Sequence, residues 1–257
     1  MEPQESKDKQ AVSTLNSQQK LATTPSIVAT LFWALFLYIV PSFIVSFGFG
    51  MYAQAYGVAS GDAWFAQVET LLAMTFAVYL IVLPCLWLLA KYSHEPQSCH
   101  KTRSARHFLN LALPLPKLVW LVIVFSAAFW LMMTIATYVL ALEEEPFMEQ
   151  LKNSATPIWF IVLNTCMLAP IVEELVFRGW LFKRFALTQL GQIGAIAITS
   201  LLFAAIHIQY SMAGIIFVFV LGLYFTWIRV KYQSTSLAIV AHATCNSLTM
   251  FALYYLY

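Results

Sequence analysis

Charge is what this sequence has least of. Of its 257 residues only 10% are Asp, Glu, Lys or Arg, where a soluble domain carries about 25%. With 61% hydrophobic residues, the deficit excludes an ordinary soluble globular chain. Cysteine is scarce too: Cys85, Cys99, Cys166 and Cys245 form no CxxC pair, and three of them lie in apolar stretches. Neither a disulfide framework nor a thiolate metal site is expected, and the buried thiols read as small apolar groups. An HExxH zinc motif is absent. A cleavable leader is not expected either, because "MEPQESKDKQAVSTLNSQQK" has no apolar h-region and no small-residue cleavage site before the first apolar run. No internal repeat is evident, which removes the usual signature of a secondary transporter.

What the sequence does have is apolar length. Segments at about 26–49, 65–90, 117–141, 156–176, 192–209, 212–229 and 234–256 each approach the roughly 20 residues that span a bilayer. Helix is the state that satisfies its own backbone there. The expected fold is therefore all-α, a polytopic membrane protein of about seven transmembrane helices. Residues 1–25 read as a disordered cytoplasmic tail, 26–150 as N-terminal transmembrane helices and 151–257 as a catalytic transmembrane region. The fifth and sixth segments are separated only by "QYS". With the N-terminus in the cytoplasm, all of the 14 basic residues except Lys152 fall on the inside, Arg178, Lys183 and Arg184 being assigned to the turn after the fourth span. The positive-inside rule then predicts a cytoplasmic N-terminus and an external C-terminus. The expected location is a bacterial inner (plasma) membrane.

Polar groups at membrane depth are rare and mark function. After residue 155 they fall into three clusters. In "EELVFR", Glu174 and Arg178 are i,i+4 neighbours and can pair on one face, whereas Glu173 lies about 140° round the helix from Arg178. The spacing neutralises one carboxylate and leaves the other for general-base work, since desolvation makes a carboxylate more basic. The bland alternative is a packing ion pair. In "FAAIH", Phe203 and His207 share a face, although a lone histidine in an apolar helix is usually a satisfied core group. In "HATCN", His242 and Asn246 share a face, where interhelical glue is the plain reading. A hairpin turning at "LTQLGQ", residues 187–192, brings Glu173 and His207 to one depth. At ~1.5 Å per residue, Glu173 and His242 both lie roughly 15 Å from the cytoplasmic edge. Matching these depths leaves His207 close to the outer turn, so the fifth span is expected to be short, tilted or extended into the cytoplasm.

These three motifs, "EELVFRG", "FAAIH" and "HATCN", resemble in kind and order EExxxR, FxxxH and HxxxN of the CPBP intramembrane proteases, the family of CAAX prenyl proteases and Abi-type bacteriocin-processing or immunity proteins. The resemblance covers roughly residues 155–250; the first three spans share only their hydrophobicity. It implies that Glu173 activates water with help from His207, that His242 and Asn246 stabilise the oxyanion, and that Glu174 and Arg178 support them. Phe177 and Phe203 would line the cavity. It also allows zinc on Glu173, His207 and His242, but a metal-free glutamate-type site is the preferred reading, with no cofactor firmly implied. Relatives commonly carry a further span after HxxxN. Here the sequence runs about eleven residues past Asn246, so a cavity more open on one side, or closed by lipid or a partner, is expected.

The leading expectation is an endopeptidase that hydrolyses a membrane-associated peptide or protein through glutamate- and histidine-activated water. A non-proteolytic scaffold or bacteriocin-immunity protein using the same fold is the runner-up, and a proton- or metal-coupled transporter the third. The expected partners are a membrane-borne peptide substrate and the lipid bilayer, with no nucleic acid.

Overall fold

A computed structural model describes residues 25–58, 61–93, 104–143 and 145–256. Most of the expected N-terminal tail lies outside these residues, as do Cys99, Lys101 and Arg103. Among the described residues every regular element is helical. In chain order these are α1 (Ile27–Ala55), α2 (Gly61–Phe65), α3 (Val68–Tyr92), α4 (Ala105–Phe108), α5 (Pro116–Val139), α6 (Pro146–Lys152), α7 (Ile158–Ala186), α8 (Gly191–Ala205), α9 (Met212–Tyr232) and α10 (Thr235–Tyr255).

Six of them, α1, α3, α5, α7, α9 and α10, are long and apolar enough to cross a membrane. Their outer surfaces fit that solvent: Phe32, Phe43 and Phe47 on α1 and Trp120 and Val124 on α5 are exposed. The chain is an integral membrane protein. The fifth apolar segment yields a shorter helix, the 15-residue α8, which reaches only about 22 Å against a hydrocarbon core of about 30 Å. It starts at Gly191, whose φ of 60° gives the chain its reversal after α7, and it ends before His207. The short fifth element is thus as expected, and His207 sits in the following turn rather than inside a span.

Helix α7 departs most from the sequence reading, which ended the fourth span at residue 176. The helix continues to Ala186 because its charged residues are neutralised inside the bundle, leaving nothing to force the chain into water. Arg178 is 0% exposed, so it does not belong to the turn after the fourth span; Lys183 and Arg184, also expected there, lie in the last helical turn of α7. The winding of α7 also changes along its length. Two π-helical stretches, Leu163–Leu168 and Leu175–Leu181, flank the α-helical Ala169–Glu174. Such wide turns concentrate at functional sites. Pro170 sits just after the first stretch and has no N–H to give back along the helix. In a π turn that hydrogen would serve the carbonyl five residues earlier, Thr165. Instead the side chain of Asn246 donates to the Thr165 carbonyl at 2.8 Å.

The two halves share one interior. Leu37, Tyr79, Val82, Leu86 and Val122 from the N-terminal helices pack in the same apolar cluster as Val172, Val176, Phe177, Trp180, Phe203, Phe225 and Cys245. The boundary at 150/151 falls inside α6. Without a strong hydrophobic drive between helices in lipid, close contact depends on small residues. Gly222 of α9 is one: a Cβ there would meet Ser200 Cα and Phe203 Cδ1 of α8, both at 3.3 Å.

Candidate active site

Glu173 and Glu174 close the α-helical stretch of α7, at 6% and 0% exposure. Each carboxylate has its own partners. Arg178 Nη1 donates to Glu174 Oε1 at 2.9 Å, Arg178 Nη2 to the Gly222 carbonyl at 3.0 Å, and Arg178 Nε to Thr226 Oγ1 at 3.4 Å. Aromatic rings surround the guanidinium, with Phe203 4.2 Å and Phe225 5.5 Å from it. The i,i+4 pair read from the sequence is formed, and it is completely enclosed.

Glu173 stands apart from Arg178, as the spacing predicts, but its separation from the pair is bridged. His242 Nδ1 lies 2.9 Å from Glu174 Oε1, and His242 Nε2 lies 4.0 Å from Glu173 Oε2. An ionised carboxylate only accepts, so Nδ1 carries the hydrogen facing Glu174. In a neutral ring the lone pair on Nε2 then faces Glu173. The imidazole is held flat by Phe225, stacked at 4.6 Å and 18°, and edge-on by Phe203 at 5.7 Å. The order is therefore Arg178, Glu174, His242, Glu173. The far end of the row is closed from the N-terminal half, where the Tyr79 hydroxyl donates to Glu173 Oε1 at 2.7 Å.

His207 joins from the turn after α8. Its Nδ1 lies 2.7 Å from the Phe203 carbonyl, which makes Nδ1 the protonated nitrogen and leaves the Nε2 lone pair available. The Phe203 ring lies 4.9 Å from His207, and Tyr210 stacks on the other side at 5.9 Å. Burial first, then the negative charges of Glu173 and Glu145, push the Tyr210 phenol up. Outside this turn, Glu145 accepts from Ser211 Oγ at 2.6 Å and from its backbone N–H at 2.9 Å, and Phe147 of α6 packs edge-on against Tyr210 at 5.8 Å. The structure thus brings Glu173, Glu174, Arg178 and His242 into direct contact. It links His207 to them through Phe203 and Tyr210, with no hydrogen bond or ion pair between His207 and Glu173 among the described residues. Asn246 is bonded to α7 at Thr165, on the same helix as both glutamates. Phe177 and Phe203, expected as cavity lining, are buried and meet edge to face at 5.4 Å.

A zinc site needs three or four ligands converging at about 2.0–2.2 Å from one point for nitrogen and oxygen donors. Among the described residues no three His, Cys, Asp or Glu side chains gather in that way. Glu173 and His242 face each other, but the Nδ1 of His242 is taken up by Glu174 and one oxygen of Glu173 by Tyr79. As arranged, the residues do not form the three-ligand set, and no step below is routed through a metal.

The family model described as type II CAAX prenyl endopeptidase Rce1-like matches residues 155–248. Over that segment the chain resembles the Rce1-like endopeptidases. The match bears out the resemblance to the CPBP proteases carried by the three motifs, and it contains every motif residue from Glu173 to Asn246. No curated protein and no solved structure matches the chain.

Sequence reasoning missed Phe225 and Tyr210, which pack on the two histidines, and Tyr79, which lies outside the matched segment. A signal existed: phenols favour the membrane interfaces, yet Tyr79 sits mid-helix in "TFAVYLIV".

Proposed function

We propose that the chain is an intramembrane endopeptidase of the glutamate type, hydrolysing a peptide bond of a membrane-associated peptide or protein. One observation carries this reading. A buried glutamate, Glu173, has one oxygen fixed by Tyr79 and the other facing the Nε2 of an oriented histidine, itself held by a neutralised carboxylate. Such a row can activate water and return its proton. Its match to the Rce1-like segment supports the reaction class.

In the proposed mechanism a water enters beside Glu173 Oε2 and His242 Nε2. Glu173 takes its proton as the oxygen attacks the scissile carbonyl carbon, with His207 Nε2 completing the hold on the water. The carbonyl π electrons move to oxygen, where the free amide hydrogen of Asn246 supports the charge. As the carbon–nitrogen bond breaks, the proton on Glu173 passes to the leaving amine, and two termini are released. Glu174 fixes the His242 tautomer, the service a buried carboxylate gives a catalytic imidazole elsewhere, and Arg178 gives Glu174 its counter-charge. The substrate reaches the row from the cytoplasmic leaflet, with the N-terminus inside.

Comparing membrane peptides of wild type and Glu173→Gln tests this. Peptides that accumulate uncut with the variant support an endopeptidase. Identical peptide sets alongside a retained phenotype would instead favour the non-proteolytic scaffold or immunity role.

A further inference from the structure

Buried hydroxyl groups nearly always have a hydrogen-bond partner, and an exception calls for an explanation. Tyr38, on α1, is such an exception: its hydroxyl is enclosed and, among the described residues, bonded to nothing. Its ring lies 6.1 Å from that of Phe177, the neighbour of Arg178 on α7. The phenol is within electrostatic reach of Glu173, Arg178 and Glu174, and Tyr79 feels it in turn. Glu174 Oε2 is also buried without a partner among the described residues. No hydrogen bond joins the two groups among the described residues, so Tyr38 keeps a spare donor hydrogen within reach of the charges of the carboxylate row.

The other donors there are largely committed. His242 Nδ1 serves Glu174, Asn246 gives one amide hydrogen to Thr165, Arg178 is bonded through all three nitrogens, and the Tyr79 hydroxyl serves Glu173. A tetrahedral intermediate needs donors placed where the negative charge develops.

We propose that Tyr38 is a catalytic residue whose hydroxyl donates to the oxygen of the scissile carbonyl, and that its vacant hydrogen is reserved for that oxygen. This rests on the endopeptidase reading. Water adds to the carbonyl carbon, Glu173 receives the proton, and the carbon–oxygen π pair moves to oxygen, which accepts from Tyr38. When the carbon–nitrogen bond breaks, the pair returns to the carbonyl and the proton on Glu173 goes to the amine. Tyr38 keeps its own proton throughout. An oxyanion donor beside Asn246 would then come from the first helix, outside the matched segment.

The test uses the full-length protein in membrane vesicles and follows the membrane peptides whose cleavage Glu173→Gln abolishes, with rates normalised to the folded fraction. Tyr38→Phe removes one oxygen that holds no partner, so its melting temperature should equal wild type. Turnover should fall ~10²–10³-fold, the usual effect of losing one oxyanion donor, with KM unchanged. Wild-type turnover by Tyr38→Phe overturns the proposal, as does a loss confined to KM. Should wild type and Glu173→Gln give the same peptides, the endopeptidase reading fails and this role fails with it. That outcome is distinct from a cleaving enzyme indifferent to Tyr38.

Discussion

Oε1 of Glu174 is shared: Arg178 Nη1 and His242 Nδ1 each lie 2.9 Å from it. One oxygen therefore joins a charge-neutralising contact inside α7 to a tautomer-fixing contact with α10. The carboxylate that the sequence casts as a mere support is the junction of the site.

Glu173→Gln is expected to lose proteolysis while staying folded. The amide keeps the shape and still accepts from Tyr79, but it cannot take a proton from water. General-base catalysis contributes ~10²–10⁴-fold, and the loss should be at least of that order. The check pairs time-resolved peptide analysis with a melting curve, and near-normal cleavage by a folded variant would remove Glu173 from the mechanism.

Replacing Glu174 should be worse for stability than replacing Arg178. Glu174→Ala strands both a guanidinium and an imidazole N–H, whereas Arg178→Ala leaves Glu174 still bonded to His242. Breaking a buried pair costs about 3–5 kcal/mol, so both should melt well below wild type, Glu174→Ala lowest. Glu174→Leu combined with Arg178→Leu should recover part of the loss. Wild-type melting of both single variants would contradict the pairing.

His242 can be dissected by shape. The amide of Asn can replace Nδ1–H toward Glu174, while Gln reaches toward Glu173 in place of Nε2. His242→Asn should keep more stability than His242→Gln, and both should lose roughly 10²–10³-fold in turnover if the ring shares the proton and charge stabilisation. Melting curves and rates on the same samples decide it.

The two tyrosines should part company in stability. Tyr79→Phe deprives a buried carboxylate of a donor, and hydrogen bonds to charged groups contribute about 1.5–3 kcal/mol. Tyr38→Phe removes a hydroxyl with no partner among the described residues and should leave the melting temperature unchanged. Parallel melts of the two variants in one detergent measure the difference.

Asn246→Asp should be more harmful than Asn246→Ala. The new carboxylate oxygen would face the Thr165 carbonyl, which now accepts from the Asn246 amide at 2.8 Å, and its charge would oppose an oxyanion. A chelator-sensitive Asp variant that retains activity would instead point to a divalent cation in the site. Labelling a Gln189→Cys variant of a protein lacking its native cysteines, from each side of the membrane, tests the cytoplasmic placement of the α7–α8 turn.

Periodicity made several things legible. The i,i+4 spacing of Glu174 and Arg178 predicted their pair, and "LTQLGQ" located the turn that Gly191 makes. The reading placed Glu173 apart from that pair, which holds for Arg178, but His242 bridges Glu173 to Glu174. The position of an imidazole between two carboxylates depends on how α10 packs on α7, and no local pattern encodes that. The π-helical stretches were equally hidden, because an α-helical count of 100° per residue assumes the winding it is used to infer. Tyr79 and its bond to Glu173 link residues 94 positions apart, beyond the reach of any spacing rule. The four residues brought into contact were all named in advance; Tyr79 and Phe225, which orient Glu173 and His242, were not.

The order in which the row is assembled has consequences for insertion into the bilayer during synthesis. Glu174 enters with its counter-charge four residues behind it on the same helix, so that half of the carboxylate pair travels already neutralised. Glu173 has no such companion on α7. Tyr79 precedes it from the ribosome by 94 residues, and α3 is thus in place to receive it, whereas His242 follows Glu174 by 68. The nascent chain brings each acidic group to a partner that either accompanies it or is already waiting, and the imidazole arrives last, into a setting built beforehand.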